Sequence, residues 1–339
     1  LSFNLSFFLI IHLYSLCRMN KLSSLFLVLF IAASVCVLSC RREAETFQPK
    51  GEIQALTADW LAKSTQTFEV NAASPPLLIG QKGTRIRFAP NSFRDAAGDP
   101  VAGTVKVELV ELYDKATMAM LNKPTLAKRG NAFVPLISAG SFFIQATQNG
   151  TPLTLAVPAV VSTKTDQIDS QMSKFNGVPD TVGQVIWQLA PDSTLTPRLD
   201  SATFIPADTA RRFWYSFPFD ASYNWVNCDK FMYLPGEQTD VKLTLPAGFN
   251  NENTKVYLFF DGLKSIVGLY ADLRGDFRIG PYYSLPVGTK VTFVMIAYRN
   301  QQLEYAIQPA TLTANHTQTI TALKPTNENE LKKELSQLP

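Results

Sequence analysis

Histidine is almost missing from this sequence: of 339 residues, only His12 and His316 carry an imidazole. A Ser-His-Asp or Cys-His arrangement in the body of the chain would have to use His316, whose setting, "TANHTQT", reads as a polar turn exposing the ring. Cysteine is nearly as scarce. Cys17, Cys36 and Cys40 lie near the N-terminus, leaving Cys228 alone, without a disulfide partner and read as a small buried hydrophobe. With one histidine and one thiol left, a zinc or copper site is poorly supplied, and no His-Glu-x-x-His helix or glycine-rich phosphate loop occurs. Net charge is also small, +3, with Arg18 and Lys21 supplying two of the three. That argues against a nucleic-acid binder, which carries a clustered basic face. No cofactor, metal ligand or catalytic residue is expected.

What is present is apolar and turn-rich: 46% of the residues are hydrophobic and 17% charged, the balance of a globular chain long enough for two domains. The first segment has its own grammar. Residues 1–18 read as upstream of a start at Met19, which opens a basic n-region at Lys21, an apolar stretch from Leu22 to Val35 and a small residue, Ser39, before Cys40. "Val37-Leu38-Ser39-Cys40" resembles the bacterial lipobox. The resemblance implies cleavage before Cys40 and attachment of a diacylglycerol and then an N-acyl chain to it, an anchor of the palmitate kind. Two or more acyl chains hold a protein stably at a bilayer. The competing readings are an uncleaved span, for which Leu22–Leu38 at 17 residues is at the short limit, and a membrane hairpin made with residues 1–16.

After a polar tether, 40–66, whose "EIQALTADWLAK" carries a short amphipathic docking stretch, the pattern turns to β. Runs such as "TRIRF" (84–88), "TVKVELVEL" (104–112), "SFFIQATQ" (141–148) and "TPLTLAV" (151–157) alternate apolar and polar residues between turn signals. Asn149-Gly150 marks a hairpin, because a type I′ turn needs positive φ at both central residues. A polar, turn-rich middle suggests a boundary. The expected organisation is all-β: an antiparallel β-sandwich over 67–190, a linker over 191–212, a second sandwich over 213–325, and a C-terminal helix over 326–339 capped by Asn327.

"FRDAAGDPVAGTVKVELVEL" (93–112) is similar to the hairpin of bacterial Ig-like and carboxypeptidase-regulatory-like modules. The order "GTRIRFAPNSF…AGSFFIQATQNGTPLTL…YNWVNCDKF…LPVGTKVTFVMIAY" resembles a set of uncharacterised lipoproteins of the Bacteroidota kind. That resemblance implies an Ig-like fold and an outer-membrane address, periplasmic or surface-facing, and carries no catalytic residues with it.

The densest chemistry lies in "RRFWYSFPFDASYNWVNCDKFMY" (211–233), where nine of the 21 residues from Phe213 to Tyr233 are aromatic. Trp214, Tyr223 and Trp225 are candidates for a row of rings stacking on a glycan or peptide, with Asn227 and Asp229 as hydrogen-bonding partners. Alternatively the segment fills a core, since Phe213, Tyr215, Phe217 and Phe219 alternate onto one strand face. "DAAGDP" (95–100) and "DLRGD" (272–276) lack calcium-loop spacing and read as turn acids. The functional expectation is a non-enzymatic binding or assembly module of the envelope. The alternatives are a glycan-acting hydrolase using paired carboxylates and a structural partner of a membrane complex.

Overall fold

The computed structural model describes residues 51–165, 167–179, 184–193, 195–199, 213–222, 224–279 and 283–339. The leader, Cys40 and Tyr223 lie outside the described residues. The described chain is all-β, with 25 strands and three helices.

The first group of strands is a stack of two sheets. One, of eight strands, runs Gln66–Asn71, Thr104–Leu112, Ala132–Gln148, Trp225–Phe231, Ser173–Pro179, Val185–Leu189 and Leu126–Arg129, with Thr151–Pro152 beside the long third strand. Facing it is a five-stranded sheet ordered Thr196–Leu199, Phe213–Phe219, Ala159–Thr165, Arg85–Arg87 and Leu78–Ile79. Alternation does the packing. Val105, Val107 and Leu109 from one sheet meet Ile86, Val161, Phe217 and Phe219 from the other, all buried. Asn149 and Gly150 take positive φ, 51° and 78°, and close the expected hairpin in register.

The larger sheet also closes on itself. Ala132–Gln148 is long enough to serve two partners, pairing Leu126–Arg129 through its first residues and Trp225–Phe231 further on. Leu126–Arg129 in turn runs parallel to Val185–Leu189. Five strands thus form a ring around Leu136, Phe175, Val185 and Trp187.

The expected boundary at 213 is displaced. Phe213–Phe219 pairs with Ala159–Thr165, and Trp225–Phe231 pairs with Ala132–Gln148 and Ser173–Pro179, so both belong to the first stack. The physical reason is the rings themselves: Tyr215, Phe217 and Phe219 fill the first core. Within the expected linker, 196–199 is an edge strand on Phe213–Phe219.

The second group is an eight-stranded sheet, from His316–Thr319 through Thr254–Phe260 and Lys290–Arg299 to Lys324–Thr326. Its central strands are apolar on both faces. Val256, Leu258 and Phe260 enter one core, while Tyr257 and Phe259 enter another, covered by helices. Those helices are α1 (Glu52–Ser64), α2 (Lys115–Met120) and α3 (Glu328–Ser336). The described part of the expected tether, from residue 51 on, is therefore packed structure, since α1 buries Ile53 and Trp60. The C-terminal helix forms as expected: Asn327 Oδ1 accepts the Glu330 N–H at 3.0 Å, and Leu331 and Leu335 are buried. Pro49–Pro339 groups as one unit, the second core running continuously into first-stack residues Leu126 and Met232.

Candidate functional site

The aromatic segment does not make an exposed row. Trp214 and Trp225 lie in different sheets. Trp214 is 7% exposed, with the Arg85 guanidinium 4.1 Å from its ring centre. Trp225 is half-buried, tilted against Phe143 at 5.4 Å and edge-on to Trp187 at 6.5 Å, with the Lys123 ammonium 5.1 Å away. Asn227 and Asp229 are fully buried. Their ladder partners Ser141, Ser138 and Phe175 place them on the inner side of the five-stranded ring, where Asn227 Nδ2 donates to Asp229 Oδ2 at 2.8 Å. Burial pushes the Asp229 carboxyl well above the usual carboxylate range. Two proposed hydrogen-bonding partners for a surface ligand are thus interior groups, because a strand feeding a closed ring has no solvent face.

His316 also departs from its expected exposure. It is 8% exposed, stacked on Phe293 at 5.8 Å, and accepts the Thr313 N–H at Nδ1. Burial lowers its pKa. Cys228 is buried in the first core, as its scarcity suggested, and burial raises its thiol. The two acidic turns are self-bonded. Asp95 Oδ1 accepts from the Ala97 and Asp99 N–H groups, and Asp272 Oδ1 from those of Arg274 and Asp276. Among the described residues no cluster of three or more acidic, histidine or cysteine side chains could hold a metal ion.

Sequence reasoning missed a cleft of about 780 Å³ at the end of the first stack. Its rim begins with the turn Gly80–Thr84, where Gly80 N–H donates to Thr84 O and Gly83 adopts φ 96°. Glu111, 4% exposed, holds that turn from beneath. Its Oε1 accepts the Thr84 N–H at 2.9 Å, and its Oε2 accepts the Lys82 N–H at 2.8 Å and Gln66 Nε2 at 2.9 Å. A Cβ on Gly80 would lie 2.5 Å from this carboxyl group, so a side chain there would displace the Glu111 carboxyl from under the turn. Next along the strand direction, Tyr113 bridges Thr84 and Thr163 through its hydroxyl at 2.8 and 2.9 Å, and burial pushes its phenol up to about 12.

The opposite wall comes from a bulge. Pairing along Trp225–Phe231 slips between Cys228 and Asp229, setting Ile137–Ala139 into the cleft. Ser138 N–H donates to Lys264 O at 3.0 Å, which docks the hairpin tip Gly262–Lys264 of the second sheet against the first stack.

Among the described residues the cleft is lined by four lysines, Lys82, Lys164, Lys230 and Lys264, and one acid, Asp169. Lys230 pairs with Asp169 at 2.6 Å, and that contact holds the Asp169 carboxyl below its usual range. Lys82 pairs with Asp114 at 3.0 Å. Lys164 and Lys264 have no ion-pair partner among the described residues. Chemically the arrangement attracts negative charge into a recess of the size that takes small ligands. A smaller recess of about 340 Å³ holds Glu52 and Glu252 beside Arg299. There Glu52 accepts the Asn300 N–H, and Arg299 pairs with Glu304.

No family model and no curated protein matches the chain. Among solved structures it is similar to a gamma-CGTase from Alkalophilic bacillus clarkii, at 11% identity and a TM-score of 0.17. That match covers 80% of this chain and 42% of the other, a likeness too slight to bear on fold or function.

Proposed function

We propose that the protein is a non-enzymatic binding module of the bacterial envelope, of the Ig-like lipoprotein kind its sequence resembles. It is lipid-anchored at Cys40 in the outer membrane and takes a negatively charged ligand. The observation that carries the ligand's charge is the cleft, where the described lining residues include four lysines and one aspartate. The anchor rests on the lipobox-like "VLSC". Calorimetric titration of the full chain with uronate-bearing oligosaccharides, acidic peptides and neutral glycans tests the binding. Acidic ligands bind and weaken as salt rises, because solvent-accessible charges are screened; equal binding of neutral glycans contradicts the reading. For the anchor, Cys40→Ala loses membrane partition, and unchanged partition favours an uncleaved span.

The second reading, a hydrolase using paired carboxylates, has one observation on its side: Glu52 and Glu252 share the smaller recess. It requires glycan cleavage that is lost in both Glu52→Gln and Glu252→Gln.

A further inference from the structure

This inference rests on the anion-binding reading of the lysine cleft and names the group bound there. We propose that the cleft takes a phosphate monoester, held as a dianion between Lys164 and Lys264.

Three observations lead to it. The first is charge. Lys82 and Lys230 already have acid partners in Asp114 and Asp169, so two positive charges in the cleft, on Lys164 and Lys264, stand uncompensated among the described residues. A ligand of charge −2 balances them, and such complementarity sets both specificity and encounter rate.

The second is the chemistry of the donors. Among the described residues no arginine lines the cleft. Guanidinium grips carboxylates and phosphates alike with a rigid two-pronged fork, whereas lysine binds phosphate as a mobile point charge. The sequence does place arginines nearby, at Arg85 and Arg87 on the strand that follows the rim turn, yet neither lines the cleft.

The third is where the two lysines come from. Lys164 lies one residue before the end of a strand of the five-stranded sheet, and Lys264 sits on the hairpin tip of the second sheet. One anion between them turns a like-charge repulsion into two attractions and ties the tip to the first stack. The Tyr113 and Tyr215 hydroxyls are already bonded, to Thr84 and Thr163 and to the Asp169 backbone. Charge therefore dominates recognition, with Gln81 at hand for the ester oxygens.

The experiment titrates the full chain, in a phosphate-free glucoside detergent, with glycerol phosphate, with the same detergent micelles doped with phosphatidate, and with succinate, a sulfate monoester and a uronate oligosaccharide. Either phosphate monoester binds more tightly than succinate or the sulfate ester. Binding by the soluble phosphate alone identifies a free phosphorylated ligand, and binding by the micellar one alone identifies a lipid headgroup. Lys164→Gln and Lys264→Gln each weaken it by about tenfold or more, the loss expected for a hydrogen bond to a charged group. Lys332→Gln, on the exposed side of α3, leaves it unchanged. Affinity also falls between pH 7.5 and 5.5, as the ester takes up its second proton near pH ~6. Succinate binding as tightly as phosphate, or phosphate affinity untouched in the double variant, overturns the phosphate assignment while uronate binding keeps the anion-binding reading. If no anion binds, both fall.

Discussion

Two buried carboxyl groups of the first stack, Glu111 under the cleft rim and Asp229 inside the ring, are solvated by the protein in opposite ways. Glu111 accepts three N–H donors, two of them from the backbone of the rim turn. Asp229 Oδ2 accepts from Asn227, and Ser138 and the Ala139 N–H also approach the carboxyl, but its Oδ1 has no hydrogen-bond partner; nor does Asn227 Oδ1 beside it. The difference teaches what each region is for. At the rim, a carboxylate organises backbone so that lysines can surround a cleft. In the ring, burial raises the Asp229 carboxyl, with Ser138 and the Ala139 N–H offsetting only part of that push. A retained proton then supplies the donor that two orphaned oxygens lack.

Breaking the rim has the largest effect. Glu111→Ala leaves buried N–H groups unpaired and costs about 3 kcal/mol or more, read as a lower urea midpoint, with loss of anion binding as the turn releases. Asp229→Asn sharpens the ring half of the comparison. Because the folded carboxyl lies above its unfolded value, the contribution of Asp229 to stability is complete below about pH 4. It declines as pH rises toward the raised folded value, since the unfolded chain gives up its proton first. The amide carries a permanent donor, so thermal scans from pH 4 to 8 flatten and stability at pH 8 rises by about 1–2 kcal/mol. A variant that keeps the wild-type slope would place the titration on a group other than Asp229.

Tyr113→Phe removes the bridge between Thr84 and Thr163 and costs about 1 kcal/mol by the same denaturation. Smallest is Lys82→Ala, whose pair with Asp114 is 39% and 46% exposed; stability changes by under about 0.5 kcal/mol.

Local features of this fold were legible in the sequence and distant ones were not. Asn149-Gly150 and the Asn327 cap are decided within four residues, and both formed as read. The helix α2 carried a comparable signal, Asp114 accepting the Thr117 N–H at 2.7 Å, hidden in an apolar run that reads equally as strand. The strand Phe213–Phe219 has the alternation of a core strand, but its partner Ala159–Thr165 lies some fifty residues upstream, so its sheet could not be read from it. Glu111 looks like an ordinary polar position in "TVKVELVEL" until the rim turn folds over it. Each cleft lysine sits in a separate segment, at 82, 164, 230 and 264, and only strand pairing and the docked hairpin bring the four together.

The proposed binding surface is that assembled cleft, not the aromatic segment. Mass-spectrometric footprinting of lysine acetylation on the full chain, with and without glycerol phosphate, reads this directly. Lys164 and Lys264 become protected while Lys332 and Lys333 on α3 continue to react at the same rate; unchanged acetylation of Lys164 and Lys264 under saturating ligand would contradict it.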